Sequence, residues 1–575
     1  MSAYLPRTQE MQFLLSDVLQ APQQLQQLPA FAEADADLMH QVLEESGKFV
    51  GEVVAPLSRD GDEIGCRWEQ GQVITPPGFR DAYQAFWQAG WPALASATED
   101  GGQGLPAVLE AMLYEMLSAG NHGWTMAPGL LHGAYECLKH HGSQALKDGY
   151  LSKIATGEWL ATMCLTEPHA GSDLGLARTK ATPLPDGRYA LSGTKIFISG
   201  GEHDLSDNIV HLVLARLPDA PPGPKGLSLF LVPKFMPDGS RSAVHCDRIE
   251  EKMGLHGSPT CVMRFDEAAS WIVGEPGRGL NAMFVMMNSA RLHVAMQGIG
   301  LLDAAWQKAD TYARERRQMR APGKGRSAGE ADLIIAHPAV KRILDTQRAW
   351  VDGGRVMAYR TALELDLIKH SQDKARVEQA QRWCSLVTPV MKSIFTHQAF
   401  HGGSDCLQVF GGHGYVREWG IEQIIRDARV AMIYEGTNEI QAIDLLVRKV
   451  LSDGGQSLSS LLDDLLQDFP AETPGPTRAW QGRVATLRSL TAEIVAQAGQ
   501  DPVLPFEFAD DYLRALGIVL LDWAWLRIAA TRADHMPDKE SRWLAPGHAL
   551  QRWVVPEFDL RVGIVRAALP GTCAA

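Results

Sequence analysis

The sequence predicts a multidomain α+β protein built in the order helical, β-rich, helical. Three observations predict it. From Asp37 onward apolar residues recur at helical spacing, with Leu38, Val42, Phe49 and Val53 on one side. After Asp186-Gly187, a strong hairpin signal, side chains alternate as in a strand and several short β-rich runs follow. From Gly279 the helical period returns and persists to Leu451. At 575 residues the chain exceeds what one core supports, so three or four domains are expected.

Residues 1–36 form a Gln- and Pro-rich amino-terminal extension whose one apolar segment, 11–19, is expected to lie against the body as a short helix. Residues 37–160 read as an all-helical domain, broken at Pro56, at Pro76-Pro77-Gly78 and in the glycine-rich loop 99–104. Its helical periods resume over 109–117 and 138–154. Residues 161–275 carry strands over 188–199, 209–217, 227–233, 261–265 and 271–273, which suit a small antiparallel barrel or sandwich. Residues 276–452 are helical over 283–302, 306–320, 336–367, 377–400 and on both sides of Glu435, which predicts a four-helix bundle. Gly, Ser and Pro clusters at 452–460 and 470–476 mark a linker at 453–480. The remainder, 481–575, forms an additional helical domain with helices over 484–498, 512–531 and 560–568. There is no internal repeat.

The formal charge of −14 argues against a nucleic-acid partner, because duplex binding rests on basic surface. No window reaches the roughly 18 uninterrupted apolar residues of a membrane span. The opening lacks a basic region followed by a long apolar core and a cleavage site, so no export signal is expected. Eight cysteines (Cys66, Cys137, Cys164, Cys246, Cys261, Cys384, Cys406 and Cys573) are scattered without a CxxC pair. That pattern suits reduced thiols in a cytoplasmic protein and predicts no metal site. His397 and His401 share a helical face, but no acidic residue lies between them, so a structural or solvated pair is expected. Gly412-His413-Gly414 lacks the third glycine of a dinucleotide fingerprint, and neither GxxxxGK[ST] nor GxSxG occurs.

One acidic residue stands out. Apolar positions Ile421, Ile424, Ile425, Ala428 and Met432, then Ile440, Ile443 and Val447, define two helices on either side of Glu435-Gly436-Thr437-Asn438. Gly436 stops the first helix, and Asn438 with Gln441 can start the second as a capping pair. A carboxylate at that junction, after the apolar run 430–434, is half-desolvated if it faces inward and can then serve as a general base near neutral pH. If it faces outward it is an ordinary solvated glutamate. Local pattern alone leaves both open.

Three motifs resolve the reading. YEGTNEIQ (434–441), QVFGGHGY (408–415) and LTEPHAGSD (165–173) together resemble the acyl-CoA dehydrogenase family of flavoenzymes. The resemblance spans about residues 40–452, and the extra segment at each end is similar to the longer bacterial subgroup that includes 3-methylthiopropanoyl-CoA dehydrogenase. It implies an amino-terminal helical domain, a middle β-domain and a carboxy-terminal bundle, with FAD held between the β-domain and the bundle and the bundle of one subunit helping to cover the flavin of its neighbour. By the same resemblance, Leu165, Thr166 and Ser172 contact the flavin, Ser172 also meets substrate, and Phe197-Ile198-Ser199 stands where the family has Trp-Ile-Thr against the ring. Arg316 and Gln318 match the family's Arg-x-Thr at the diphosphate of a neighbouring subunit, where a guanidinium suits the anion. Read without the family, the basic run around Arg316 is simply a solvated helix face. Gln408, Gly411 and Gly412 match QxFGG at the adenosine end, and Thr437 and Glu439 match diphosphate and ribose contacts, although the family often has Gln at 439. Arg291, Tyr434 and Gly436 are implied substrate contacts; the usual Asp companion of Arg291 is replaced by Asn288. Some relatives carry the base at the position of Ala290, where alanine cannot accept a proton, and Glu435 fills the commoner place.

The resemblance therefore implies FAD-dependent α,β-dehydrogenation of an acyl-CoA thioester, a step of fatty acid β-oxidation. Glu435 takes the α-proton while the β-hydride goes to flavin, and the electrons pass to an electron-transferring flavoprotein. The substrate is the 3-methylthiopropanoyl thioester or a short- to long-chain acyl-CoA, and the enzyme a homodimer or homotetramer. Two other classes stay open on this fold: an oxidase that releases peroxide, and a non-catalytic or nucleic-acid-associated member.

Overall fold

In the computed structural model the described residues are 4–323, 331–469, 475–535 and 540–570. Cys573 and most of the proline-rich stretch 470–476 lie outside them, as does the side chain of Asn288. The chain forms two compact units, Lys48–His293 and a second made of Met1–Gly47 with Val294–Ala575. Among the described residues no helix is long and apolar enough to cross a membrane.

Within Lys48–His293 the helical part centres on Ala107–Thr125, buried on nearly every side. Asn121 breaks it (φ −157°, ψ 88°), and its side-chain oxygen takes the Trp124 N–H at 3.1 Å. The part is not all-helical as expected. Strands β1 (Arg67–Glu69) and β2 (Gln72–Ile74) pair as a hairpin around Gln70 and Gly71, both left-handed. Such a turn follows from Gly71, but three-residue strands are too short to show a period.

Seven further strands follow: β3 (Leu160–Cys164), β4 (Lys180–Pro183), β5 (Tyr189–Ser199), β6 (Ile209–Arg216), β7 (Leu227–Pro233), β8 (Val244–Ile249) and β9 (Thr260–Val273). Successive pairings β6–β7–β9–β5–β4 return to β6 through Lys180 opposite Arg216, so the sheet closes on itself, with β3 added along β6 and β8 along β9. Pairing is mainly antiparallel, with β3 parallel to β6 as the main exception. The interior holds Leu191, Val213, Phe230, Cys261 and Phe265. The two expected strands 261–265 and 271–273 are one: Asp266 and Glu267 interrupt the apolar pattern because Glu267 bulges outward at φ 57°, while the strand continues.

One corner of this barrel is built around a buried ion pair. The Lys195 ammonium, fully buried, lies 2.8 Å from Glu167 Oε1 and donates to the Leu165 carbonyl at 2.9 Å. Glu167 also accepts from the Arg178 N–H (2.7 Å), the Thr179 N–H (3.0 Å) and the Thr179 hydroxyl (2.6 Å). Burial pushes the Glu167 carboxyl up, but Lys195 and these donors outweigh it and hold it at about 2.

The second unit places helices Pro338–His370 and Lys374–Phe410 side by side, joined at Asp373, which caps the second by accepting the Ala375 and Arg376 N–H groups. The expected helices 283–302 and 306–320 are a single helix, Gly279–Glu315, because Asp303 between them is satisfied by buried arginines and breaks nothing. Part of the expected linker is also helical: Gln456–Leu466 buries Leu458, Leu461, Leu462 and Leu465, while Gly454-Gly455 only ends the preceding turn. Ala509–His535 packs closely on Pro338–His370, where a Cβ at Gly353 would stand 2.5 Å from Leu521, and Trp525 donates to the Ala349 carbonyl at 2.8 Å.

A charged network joins the extension and the last helices to the bundle. Asp303 takes Arg348 and Arg355, each at 2.8 Å. Glu10, from helix Thr8–Gln12, pairs with Arg348 and with Arg542, and Arg542 reaches Asp352 at 2.9 Å. Burial raises the Glu10 carboxyl, yet Arg348 and Arg542 hold it far below the usual range.

Replacing Glu10 by alanine removes one of the carboxylates shared by Arg348 and Arg542, whose bonds to Asp303 and Asp352 remain, and should cost about 1–3 kcal/mol, against under about 1 kcal/mol for removing the exposed Arg448. Denaturation midpoints of both variants check this; equal midpoints would contradict the network. Lys195→Met leaves the buried Glu167 without its cation and should cost more, about 3–5 kcal/mol. Because the folded value of Glu167 lies below its ordinary 4.5, its contribution is present above pH 4.5 and lost as pH falls towards 2. Acid titration of intrinsic fluorescence should show that dependence in the parent and not in Lys195→Met.

Candidate active site

In the second unit, helix Ile421–Ala428 tightens over Arg429–Met432, and the chain leaves helical geometry before Asn438–Ile443 begins. Glu435 (φ 55°) and Gly436 (φ 85°) are consecutive left-handed residues at that break. Glycine adopts this freely; glutamate does so at a cost of about 1–3 kcal/mol. Glu435 is half-buried, so it is not the fully solvated glutamate of the alternative reading. Burial, with the neighbouring Glu435 carboxylate, drives the Tyr434 phenol well above its usual value, and its hydroxyl donates to Gln297 Oε1.

The capping assignment needs correction. Thr437 is the N-cap, its hydroxyl accepting the Ile440 N–H at 3.3 Å. Asn438 is instead drawn inward: its Nδ2 donates to the Ser393 carbonyl at 3.1 Å, and its Oδ1 accepts from Lys392 at 3.0 Å and lies 3.2 Å from the Thr396 hydroxyl. Gln441 turns back, donating to the carbonyls of Glu435 (3.1 Å) and Gly436 (3.4 Å). Glu439 stays exposed in the first turn.

Elsewhere in this unit Tyr312 stacks on Phe410 with centroids 4.4 Å apart and bonds His413 Nδ1 at 2.9 Å, while His413 stacks on Trp419 at 4.7 Å. This brace brings the end of Gly279–Glu315 to the end of Lys374–Phe410. Arg316 and Gln318, expected on a helix, lie beyond its last residue on an exposed extended stretch. Their backbone pairs with the following segment, with Ile334 N–H to Arg316 O at 2.8 Å and Gln318 N–H to Asp332 O at 3.0 Å. Across the brace, Gln408 is exposed on the last helical turn, and Gly411 (φ 58°) and Gly412 are exposed with nothing within 4 Å of an added Cβ. Tyr415, 87% exposed, projects beside them.

In the unit Lys48–His293, the Thr166 carbonyl accepts the Ile196 N–H at 2.9 Å, and Lys195 holds the Leu165 carbonyl. These two bonds bring Leu165 and Thr166 against the end of β5, where the pairing with β9 slips between Lys195 and Ile198. At the slip Phe197 is left-handed (φ 59°) and 60% exposed, an aromatic ring held out of the core. Ser199, half-buried, pairs with Thr260. Ser172 is exposed on the following loop, and Arg291 is half-buried on the long helix.

These features suit a flavin dinucleotide. In one unit a projecting Phe197 beside Thr166 offers a face and a hydroxyl suited to a planar ring; in the other, the bare backbone at Gly411-Gly412 leaves room for a close approach, and the exposed Arg316 suits a diphosphate. Sequence reasoning did not find Lys195, Lys392 or the aromatic brace. A buried lysine has no local signature, although Glu167 stood inside a quoted motif and a carboxylate among apolar residues asks for a partner. The His397 and His401 rings are tilted at 32° with centroids 4.1 Å apart, and among the described residues no metal-binding cluster of three ligands occurs.

Comparison with known proteins identifies the family. Models of the acyl-CoA dehydrogenase N-terminal, middle and C-terminal domains match residues 39–158, 162–268 and 277–450. The chain is 42% identical over 542 residues to 3-methylmercaptopropionyl-CoA dehydrogenase of Ruegeria pomeroyi, covering 92% of this chain and 91% of that one. It is 34% identical to the broad-specificity linear acyl-CoA dehydrogenase FadE5 of Mycobacterium tuberculosis, covering 86% and 82%. Its fold matches an acyl-CoA dehydrogenase of Bacillus anthracis complexed with FAD at TM-score 0.76 and 20% identity, covering 92% and 88%. With all three domains present in order and this identity along nearly its whole length, the chain belongs to the acyl-CoA dehydrogenase family.

Proposed function

We propose that this chain catalyses FAD-dependent α,β-dehydrogenation of an acyl-CoA thioester, with Glu435 as the base that takes the α-proton. Family membership makes it an oxidoreductase of acyl-CoA. The observation that carries the assignment to Glu435 is a carboxylate held half-buried in a left-handed turn, where a side chain is fixed and partly shielded from water. When bound, FAD supplies the acceptor for the hydride leaving the β-carbon. Leu165, Thr166, Ser172, Phe197 and Ser199 would hold its ring. Arg316, Gln318, Gln408, Gly411, Gly412, Thr437 and Glu439 would hold the rest, Thr437 through its backbone because its hydroxyl caps a helix. Donors near the thioester oxygen would stabilise the enolate-like charge that develops as the proton leaves. Ser172, Arg291, Tyr434 and Gly436 complete the substrate contacts.

The 3-methylthiopropanoyl thioester is the proposed substrate, supported by the 42% identity to the Ruegeria pomeroyi enzyme. An electron-transferring flavoprotein is the proposed electron acceptor and the cytoplasm the proposed compartment. Exposure of Arg316, Gln318 and Tyr415 supports a homodimer or homotetramer, in which a neighbouring subunit meets them.

Glu435→Gln should keep its FAD yet lose about 10²–10⁴-fold in the rate at which acyl-CoA bleaches the flavin. Stopped-flow absorbance checks this, and bleaching at the parent rate would place the base elsewhere. Anaerobic bleaching by a panel of thioesters should be fastest with 3-methylthiopropanoyl-CoA; a clear preference for a long straight chain would overturn the substrate assignment.

A further inference from the structure

We propose that Lys392 and Gln441 are positioning residues for the reaction, holding Glu435 in its left-handed conformation. The proposal rests on Glu435 being the base. Both residues are fully buried, at 0% exposure, and neither touches the solvent that would otherwise satisfy a charged or amide group. Lys392 Nζ donates to the Gly436 carbonyl at 2.7 Å and to Asn438 Oδ1 at 3.0 Å. Gln441 Nε2 lies 3.1 Å from the Glu435 carbonyl and 3.4 Å from that of Gly436. The two consecutive left-handed residues thus have both carbonyls directed at buried donors from two different helices.

The lysine is itself tied into the helix beneath. Its own carbonyl accepts the Thr396 hydroxyl at 2.7 Å, Asn438 Oδ1 lies 3.2 Å from the same hydroxyl, and Asn438 Nδ2 donates to the Ser393 carbonyl at 3.1 Å. One turn of Lys374–Phe410 therefore grips residues 436 and 438 on both sides of Thr437. An ammonium has three donors to distribute, which suits a site where a carbonyl and an amide oxygen converge. Without these donors a non-glycine residue relaxes from the left-handed region, and its side chain swings to a different direction. A displacement of about 1 Å at a reacting group costs on the order of 10²-fold in rate.

The test is single-turnover flavin reduction by acyl-CoA in the full-length holoenzyme, measured for Lys392→Met, Gln441→Leu and Glu435→Gln. Each of the first two variants should lower the limiting rate constant by about tenfold or more. The limiting rate constant should fall further than FAD content or the substrate concentration at half-maximal rate, which change only as far as Gly436 and Thr437 shift with the turn. A residue needed only for folding would lower FAD content and rate together. Lys392→Arg, which keeps the donors, should recover part of the loss. If Lys392→Met does not fold, Gln441→Leu carries the test alone, having no charge to replace. Parent-like limiting rates in both variants, with Glu435→Gln inert, would overturn the positioning role and leave the base intact. An active Glu435→Gln would overturn the base, and the positioning role with it.

Discussion

Two successive left-handed residues, one of them a glutamate, are the constraint around which the candidate site is built. Such a turn is unfavourable for Glu435 by about 1–3 kcal/mol, and a net hydrogen bond returns only about 0.5–1.5 kcal/mol. Holding it takes several donors acting on adjacent carbonyls, and Lys392 and Gln441 provide them. The return is directional. A side chain on a left-handed residue leaves the backbone where a helical one would not, at the place where helix Ile421–Ala428 has run out and Asn438–Ile443 has not begun.

The same device recurs in the other unit. Lys195 is as buried as Lys392, and its ammonium also grips a loop carbonyl, that of Leu165, next to a proposed flavin contact. Its second partner is a carboxylate, Glu167, which explains how a full charge is tolerated there. In both units a strained residue stands within a few positions of the lysine's target or stem, Phe197 in one and Glu435 in the other. The outlying segments are fastened by charge as well: Glu10 from the extension and Arg542 from the last helices meet on Arg348 and Asp352. The long form of the chain is thereby integral to the unit that carries Glu435.

Much of this was legible in the sequence because periodicity reports local geometry. The helical–β–helical order, the strands with clean alternation and the break at Gly436 all follow from it. What failed did so for particular reasons. The helix Gly279–Glu315 reads as two in the sequence, 283–302 and 306–320, because the arginines that satisfy the intervening Asp303 lie 45 and 52 residues away. β9 looked like two strands because Asp266 and Glu267 mark an outward bulge; β3 is buried at every position and so shows no alternation, and β4 and β8 do not alternate cleanly along their length. Asn438 looked like a cap because its residue type favours one, yet burial against Lys392 claims its side chain and leaves the role to Thr437. The motifs that mark the site were visible as strings. The lysines that hold them were not, since nothing near position 195 or 392 announces a carbonyl brought in from elsewhere in the chain.

Proton removal can be separated from hydride transfer, and that separation tests the account most directly. With the enzyme's flavin kept reduced, so that hydride cannot leave the substrate, acyl-CoA is incubated in D₂O and the acyl α-carbon is analysed by NMR. Deuterium should enter that carbon with the parent enzyme and fail to enter with Glu435→Gln. Equal incorporation by the two would contradict a catalytic carboxylate at position 435.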